Sequence, residues 1–249
     1  MEIFDCFCGL GPWAHRDRLL PYEDSEILAL MDHFGIRRAL THSSFTAGGG
    51  APIHGNQLLA ESANKMPVRF VPAFTFMPGS HDDSPGVAGV LSAMRTAGAK
   101  AVWMTISRET GPVGWVYDEQ CEACVAHRVP VLIHMDFITP DGLDQLLGRH
   151  PAMNCILVGV GYAADWWIYP LLRRHACLHL ALGQFYVPAD NPQRFLRHFS
   201  AERLLFGSAL PHFSPGGLIT HIMYGAMTDD DREKIMHGNL ERLLAEVRL

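Results

Sequence analysis

The sequence predicts an α/β fold of one class, a closed (β/α)8 TIM barrel in a single domain, on three observations. Short β-rich runs alternate with stretches of helical spacing along the whole chain. There are eight such runs. The length of 249 residues matches the roughly 250 that a barrel of eight such units takes, so one domain over residues 1–249 is expected.

Taken in order, the first run is EIFDCF at 2–7, followed by helical spacing at 24–34. RRALTH at 37–42 precedes a helix at 55–66, and VRFVPAF at 68–74 precedes one at 86–97. AKAVWM (99–104) leads to 117–127, VPVLIH (129–134) to 141–149, and NCILVG (154–159) to 164–175. CLHLAL (177–182) is paired with 191–199, and RLLFGS (203–208) with 216–226. A last amphipathic segment at 228–247 opens on Thr228, an N-cap residue ahead of acidic first-turn residues. An open doubly wound sheet is the alternative, but no G-x-G-x-x-G follows the first run. The cluster Gly48-Gly49-Gly50 lacks a lysine to hold phosphate and reads as a mobile loop over a pocket.

Composition excludes several classes. Twenty basic residues against 26 acidic ones give a net charge of −6, with the basic residues scattered, so nucleic acid is not an expected partner. No apolar run approaches the roughly 20 residues needed to span a bilayer. Six cysteines and no leader-like N-terminus fit a reducing cytoplasm. Cys121 and Cys124 form a C-x-x-C without a second pair, which reads as one turn of helix.

Six stretches carry a resemblance to a known family: EIFDCFCGLG, ANKMPVRFVPAFTFMP, CEACVAHRVPVLIHMD, HPAMNCILVGVG, FSAERLLFGSALP and DDDREKIMHGNLERLL. In this order, over nearly the whole chain, they resemble the amidohydrolase-related family of barrel hydrolases and decarboxylases. The resemblance implies a divalent metal held by D-x-H-x-H on strand one, a His ending strand five, a His ending strand six and an Asp in F-G-S-D on strand eight. Carried over, Asp5 matches the leading acid and His134 the strand-five ligand. The other positions fall on Phe7, Gly9, Gly159 and Ala209, none of which can bind a metal through its side chain. Zinc catalysis takes about three protein ligands, so the resemblance implies a dismantled metal centre, and no cofactor is expected.

The candidate catalytic pair is His134 and Asp136, two residues apart at the end of strand five, where a carboxylate beside an imidazole could tune proton transfer. Barrel pockets are lined by residues at strand ends and in the loops that follow. On that basis the substrate-binding candidates are Phe7, Trp13, His15, His42, Trp103, Tyr162, Gln184, Tyr186, Ser208 and His212. If Phe7 and Gly9 face inward, strand alternation turns Cys6 and Cys8 outward. Ser208 lacks the G-x-S-x-G elbow of a nucleophile. Trp166 and Trp167 either cap the pocket or begin a helix.

Three functions remain open. The first is a metal-independent hydrolase or lyase acting on a small organic acid, lactone or ester. The second is a non-catalytic pseudoenzyme that binds a small molecule or a partner; self-association of the chain into a homo-oligomer through its outer helices is expected independently of these readings. The third is a metal-dependent hydrolase with relocated ligands drawn from His15, His42, His134 and His212, among the 14 histidines of the chain.

Overall fold

The computed structural model describes residues 1–13, 20–78, 85–105, 114–162, 164–183, 186 and 192–249. Eight strands lie in sequence order in one sheet, and every neighbouring pair is parallel. They are β1 (Phe4–Leu10), β2 (Arg38–Ser43), β3 (Phe70–Thr75), β4 (Ala101–Met104), β5 (Val131–His134), β6 (Cys155–Val158), β7 (Leu178–Leu182) and β8 (Leu204–Phe206). The helices are α1 (Asp24–His33), α2 (Ser44–Ala47), α3 (Pro52–Lys65), α4 (Gly86–Ala97), α5 (Asp118–His127), α6 (Pro140–Arg149), α7 (Asp165–Arg174), α8 (Gln193–Leu196), α9 (Gly216–Tyr224), α10 (Asp229–Glu233) and α11 (Asn239–Ala245). None is long and apolar enough, among the described residues, to cross a membrane.

Several boundaries differ from expectation for local reasons. α3 starts three residues early because Pro52 occupies its first turn, where proline's missing N–H costs nothing. The helix expected at 191–199 is reduced to the single turn of α8, with residue 191 outside the described residues. The amphipathic segment from Thr228 is interrupted by a π-helical turn, Lys234–Gly238, although Thr228 does cap it by accepting from Asp231 N–H. Gly48–Gly50 form a tight turn in which Gly50 lies against the Phe45 ring, rather than a loop over a pocket.

Closure of the barrel departs most from a simple ladder. β8 ends at Phe206, and the chain beyond it continues as the seam. Ala209 N–H donates to the Phe7 carbonyl at 2.9 Å, and Gly9 N–H donates to the Leu210 carbonyl at 2.8 Å. Facing this seam, β1 carries a register shift between Asp5 and Cys8. Such a bulge adds a residue to one strand and reverses alternation locally.

The apolar interior divides into two layers. Between sheet and helices lie residues such as Ile27, Met31, Leu59, Val102, Ile133 and Leu143. Inside the barrel lie Phe4, Cys6, Leu40, Ala73, Ala101, Trp103, Leu132, Ile156 and Leu205, with Leu240, Leu243 and Leu244 of α11 packed on them. Cys6 therefore faces inward, while Cys8 belongs to the outer layer. The expectation that both point outward fails because the bulge shifts the parity of β1 between them.

Candidate functional site

A cavity of about 300 Å3 opens at the C-terminal ends of β1, β5, β6, β7 and β8. Phe7, His134, Asp136, Gly159, Ala209 and Phe213 line it, with Val158, Val160 and the stretches Ala181–Gly183 and Gly207 completing the wall. Apart from His134 and Asp136 the lining is apolar or glycine.

His134 ends β5 and is fixed from the main chain. Its Nδ1 accepts the Asp136 N–H at 3.0 Å, so in the neutral ring the proton resides on Nε2. The imidazole lies flat over Gly159, where an added Cβ would stand 2.1 Å from Nε2 and 2.4 Å from Cε1. Gly159 also has φ +71°, a left-handed conformation that glycine adopts without strain. The Asp136 carboxylate stands 3.6 Å from Nδ1, but its side chain is 76% exposed. Water screens such a pair, so the backbone of Asp136 orients the imidazole and the carboxylate contributes little.

Behind the cavity the barrel mouth is filled with rings. Phe7 stacks on His42 (centroids 4.8 Å, 12°) and on Trp103 (5.5 Å, 16°), and His42 stacks on Trp103 (4.4 Å, 18°). Phe137 meets both Trp103 and His134 at 6.1 and 5.8 Å. Burial, reinforced by the neighbouring imidazoles of His134 and His212, pushes His42 down to about 3 against a hydrogen bond with the Cys8 main chain. The ring is therefore neutral near pH 7, with one nitrogen a donor and the other an acceptor. Nδ1 of His42 is buried without a partner, as are Nε1 of Trp103 and Oγ1 of Thr75.

Asp5 and Ser208 form a buried pair at the barrel seam. Asp5 Oδ1 accepts the Phe7 N–H at 2.9 Å and the Ser208 N–H at 2.8 Å, while Oδ2 accepts the Ser208 hydroxyl. Burial raises the Asp5 carboxyl to about 6, although these three bonds pull the other way. Asp5 and Ser208 do not line the cavity.

The remaining candidates are dispersed. Trp13 meets His212 edge-on at 4.9 Å. Tyr186 is buried in the outer layer with its hydroxyl bonded to Asp165 Oδ1 at 2.6 Å, which removes it from the pocket. Tyr162 is 74% exposed and is not part of the cavity wall. His15 and Gln184 lie outside the described residues. Trp166 and Trp167 fall in the first turn of α7, where Trp167 packs on the outer core and Trp166 is solvent-facing. Sequence reasoning missed Thr75, Phe137 and Phe213; parity with the inward Ala73 would have found Thr75.

An eight-stranded parallel barrel with a cavity at its C-terminal mouth and an imidazole at the end of its fifth strand is a TIM-barrel protein of the kind that carries small-molecule sites. The chain belongs to the amidohydrolase family, whose model matches residues 26–245. A comparison with curated proteins finds no match. Among solved structures, an uncharacterised TIM-barrel protein from Bordetella bronchiseptica is similar (TM-score 0.73, 20% identity, 99% of each chain). So is 5-carboxyvanillate decarboxylase from Sphingomonas paucimobilis (TM-score 0.73, 14% identity, 98% of this chain and 99% of that one). A dihydroxybenzoic acid decarboxylase from Polaromonas, with bound manganese and the inhibitor 2-nitroresorcinol, is also similar (TM-score 0.71, 15% identity, 98% of this chain and 97% of that one). At these identities the likeness is one of fold.

The divalent metal implied by the family does not fit the residues at the equivalent position. Phe7, Gly159 and Ala209 line the cavity without a donor side chain, and Gly9 has no room for one because an added Cβ would meet Ser44 Oγ at 2.6 Å. His134 alone offers an imidazole, and its Nδ1 is already engaged by Asp136 N–H. Among the described residues no group of three or more His, Cys, Asp or Glu side chains is arranged to hold a metal ion.

Proposed function

We propose that this amidohydrolase-family barrel has a degenerate metal centre and acts, without a metal, as a hydrolase or lyase on a small organic acid, lactone or ester. The observation that carries this reading is the composition of the cavity. Four of the five positions that the resemblance equates with metal or water ligands, Phe7, His134, Gly159 and Ala209, line it, and only His134 can do chemistry. A volume of about 300 Å3 suits a molecule of about one ring with its substituents. His134 would transfer the proton: Nδ1 is held by a main-chain donor, and Nε2 lies over Gly159 at the cavity wall. The aromatic acids named for the related decarboxylases are the natural first members of a substrate panel.

A second reading, a binding protein without turnover, is favoured by one observation. Among the described residues the other ionisable side chain on the cavity wall is that of Asp136, which is mostly in water and is a poor proton-transfer partner for His134. One experiment separates the readings. Protein purified without chelator is analysed for metal, treated with chelator, and assayed against a panel of aromatic acids, lactones and esters, with binding followed by calorimetry. Turnover that survives chelation and is lost in His134→Ala supports the enzyme. Binding without product supports the second reading, and stoichiometric metal required for turnover refutes both.

A further inference from the structure

We infer that a polar recess behind Phe7, formed by His42 Nδ1, Thr75 Oγ1 and Trp103 Nε1, receives a hydroxyl group of the molecule bound in the cavity. The inference rests on reading the cavity as a small-molecule site and names one group that the molecule must carry.

Each of the three atoms is buried and without a hydrogen-bond partner. Their residues are 5%, 1% and 1% exposed, so bulk water does not reach them. Native interiors leave few such atoms, and each one calls for an explanation. Here the three belong to adjacent strands. Thr75 of β3 and Trp103 of β4 are partners in register, and the Trp103 indole reaches the His42 ring of β2 at a centroid distance of 4.4 Å. All three residues lie on the inner face of the barrel, in parity with or within the inner layer that holds Leu40, Ala73 and Trp103. The Thr75 main chain is already clamped, its N–H by Asn56 Oδ1 at 2.7 Å and its carbonyl by Asn56 Nδ2 at 3.0 Å. The hydroxyl remains.

Phe7 separates this recess from the cavity. One side of its ring belongs to the cavity wall, and it also stacks on His42 and Trp103. Phe7 sits in the β1 bulge, outside the paired register, the kind of position at which strands re-aim a side chain beside a site. A flat apolar ring entering the cavity could displace Phe7 and take over its stacking on the indole and imidazole.

The polarity of the recess selects the group. In the neutral His42 ring Nδ1 is a donor or an acceptor according to the tautomer; Trp103 Nε1–H is a donor only, and the Thr75 hydroxyl can be either. A hydroxyl satisfies the set in either tautomer: it accepts from the indole, and it donates to His42 Nδ1 or to the Thr75 oxygen. A carboxylate would accept from Trp103 but would bring a buried charge to three groups that carry none, so it is selected against.

The test uses the full-length protein labelled with 15N, with the Trp103 indole N–H resonance identified by its loss in Trp103→Phe. Phenol, toluene and benzoate are titrated separately as probes. Phenol is expected to move the Trp103 indole signal and to bind roughly tenfold more tightly than toluene, the size of effect expected when a buried polar group gains its partner, and benzoate is expected to show no such advantage. Thr75→Val, close to isosteric, should reduce the preference for phenol. Equal binding of phenol and toluene, with the indole signal unmoved by phenol, overturns the inference while leaving the cavity reading intact. Failure of all three probes to bind overturns both. The phenol-to-toluene ratio of the unmodified protein decides the matter even if the variant does not fold.

Discussion

The seam between β1 and the segment after β8 makes stability depend on pH in a direction opposite to the usual carboxylate. Asp5 is fully buried, and burial raises its carboxyl from 3.8 to about 6. A group whose folded pKa is raised contributes its stability in full below the unfolded value and loses it as pH rises through the folded value. The shift is about two units at about 1.4 kcal/mol each, about 3 kcal/mol in all, most of which the fold should lose between pH 4 and pH 7. Other carboxylates work the other way. Although burial raises it, Asp118 is held below its ordinary value by hydrogen bonds from His150 and Arg149, and its contribution is lost as pH falls. Those effects cancel in a comparison with Asp5→Asn. The substitution is well suited to the site: Oδ1 accepts both main-chain bonds, from Phe7 and Ser208, and an amide oxygen can keep them while its NH2 faces the Ser208 hydroxyl. Urea unfolding of both proteins from pH 4 to 7.5 gives the difference directly. The native protein should lose stability relative to the variant as pH rises, most steeply near pH 5. A difference that is flat, or that grows with pH, would refute the buried, proton-retaining carboxyl.

Three further outcomes are expected. Gly159→Ala should destabilise by about 1–2 kcal/mol from the left-handed backbone alone, and its Cβ must also expel the His134 ring; imidazole signals of His134 that stay unchanged by NMR would contradict the packing. Asp136→Ala should change stability by less than about 0.5 kcal/mol and leave the orientation of His134 intact, because the main-chain N–H survives the substitution. Trp103→Ala removes the fully buried ring at the centre of the aromatic stack and should cost about 3–5 kcal/mol in denaturant unfolding; a loss below about 1 kcal/mol would mean that the mouth of the barrel is not packed as described.

The strand runs were legible because a parallel barrel buries both faces of each strand, so CILV or VLIH stands out as a continuous apolar run. The position of His134 at the end of β5 follows from the same reading. What could not be read from the sequence depended on single-residue displacements. The bulge between Asp5 and Cys8 leaves no mark in EIFDCFCGLG, yet it turns Cys6 inward and directs Phe7 to the cavity. Proximity in sequence suggested that Asp136 partners His134 through its carboxylate, whereas the one-turn helix Met135–Phe137 presents its N–H to the ring and its side chain to water. Tyr186 and Ser208 follow strand ends as pocket residues do, but their hydroxyls are taken up by Asp165 and Asp5, partners far away in the sequence.

Ala209 stands at the position where the resemblance to the family implies an Asp. Its N–H closes the barrel on the Phe7 carbonyl, its carbonyl accepts the His212 N–H at 3.0 Å, and it lines the cavity with φ +56°. A left-handed residue of this kind costs energy unless its surroundings fix it, and here the seam bonds on both sides do so. The backbone at this position therefore has a structural task that does not depend on the side chain it carries. The same holds at Gly159, which turns the chain after β6 in a left-handed conformation and leaves room for the His134 imidazole where a Cβ would stand. Both positions thus serve the strand ends through their backbone, and neither Ala209 nor Gly159 carries a donor side chain. Introducing an imidazole by Gly159→His alone should for this reason fail to recruit metal, because the new side chain and the His134 ring would compete for one volume, and metal analysis of that variant would show the fold's geometry, not only its donor count, standing against the ion.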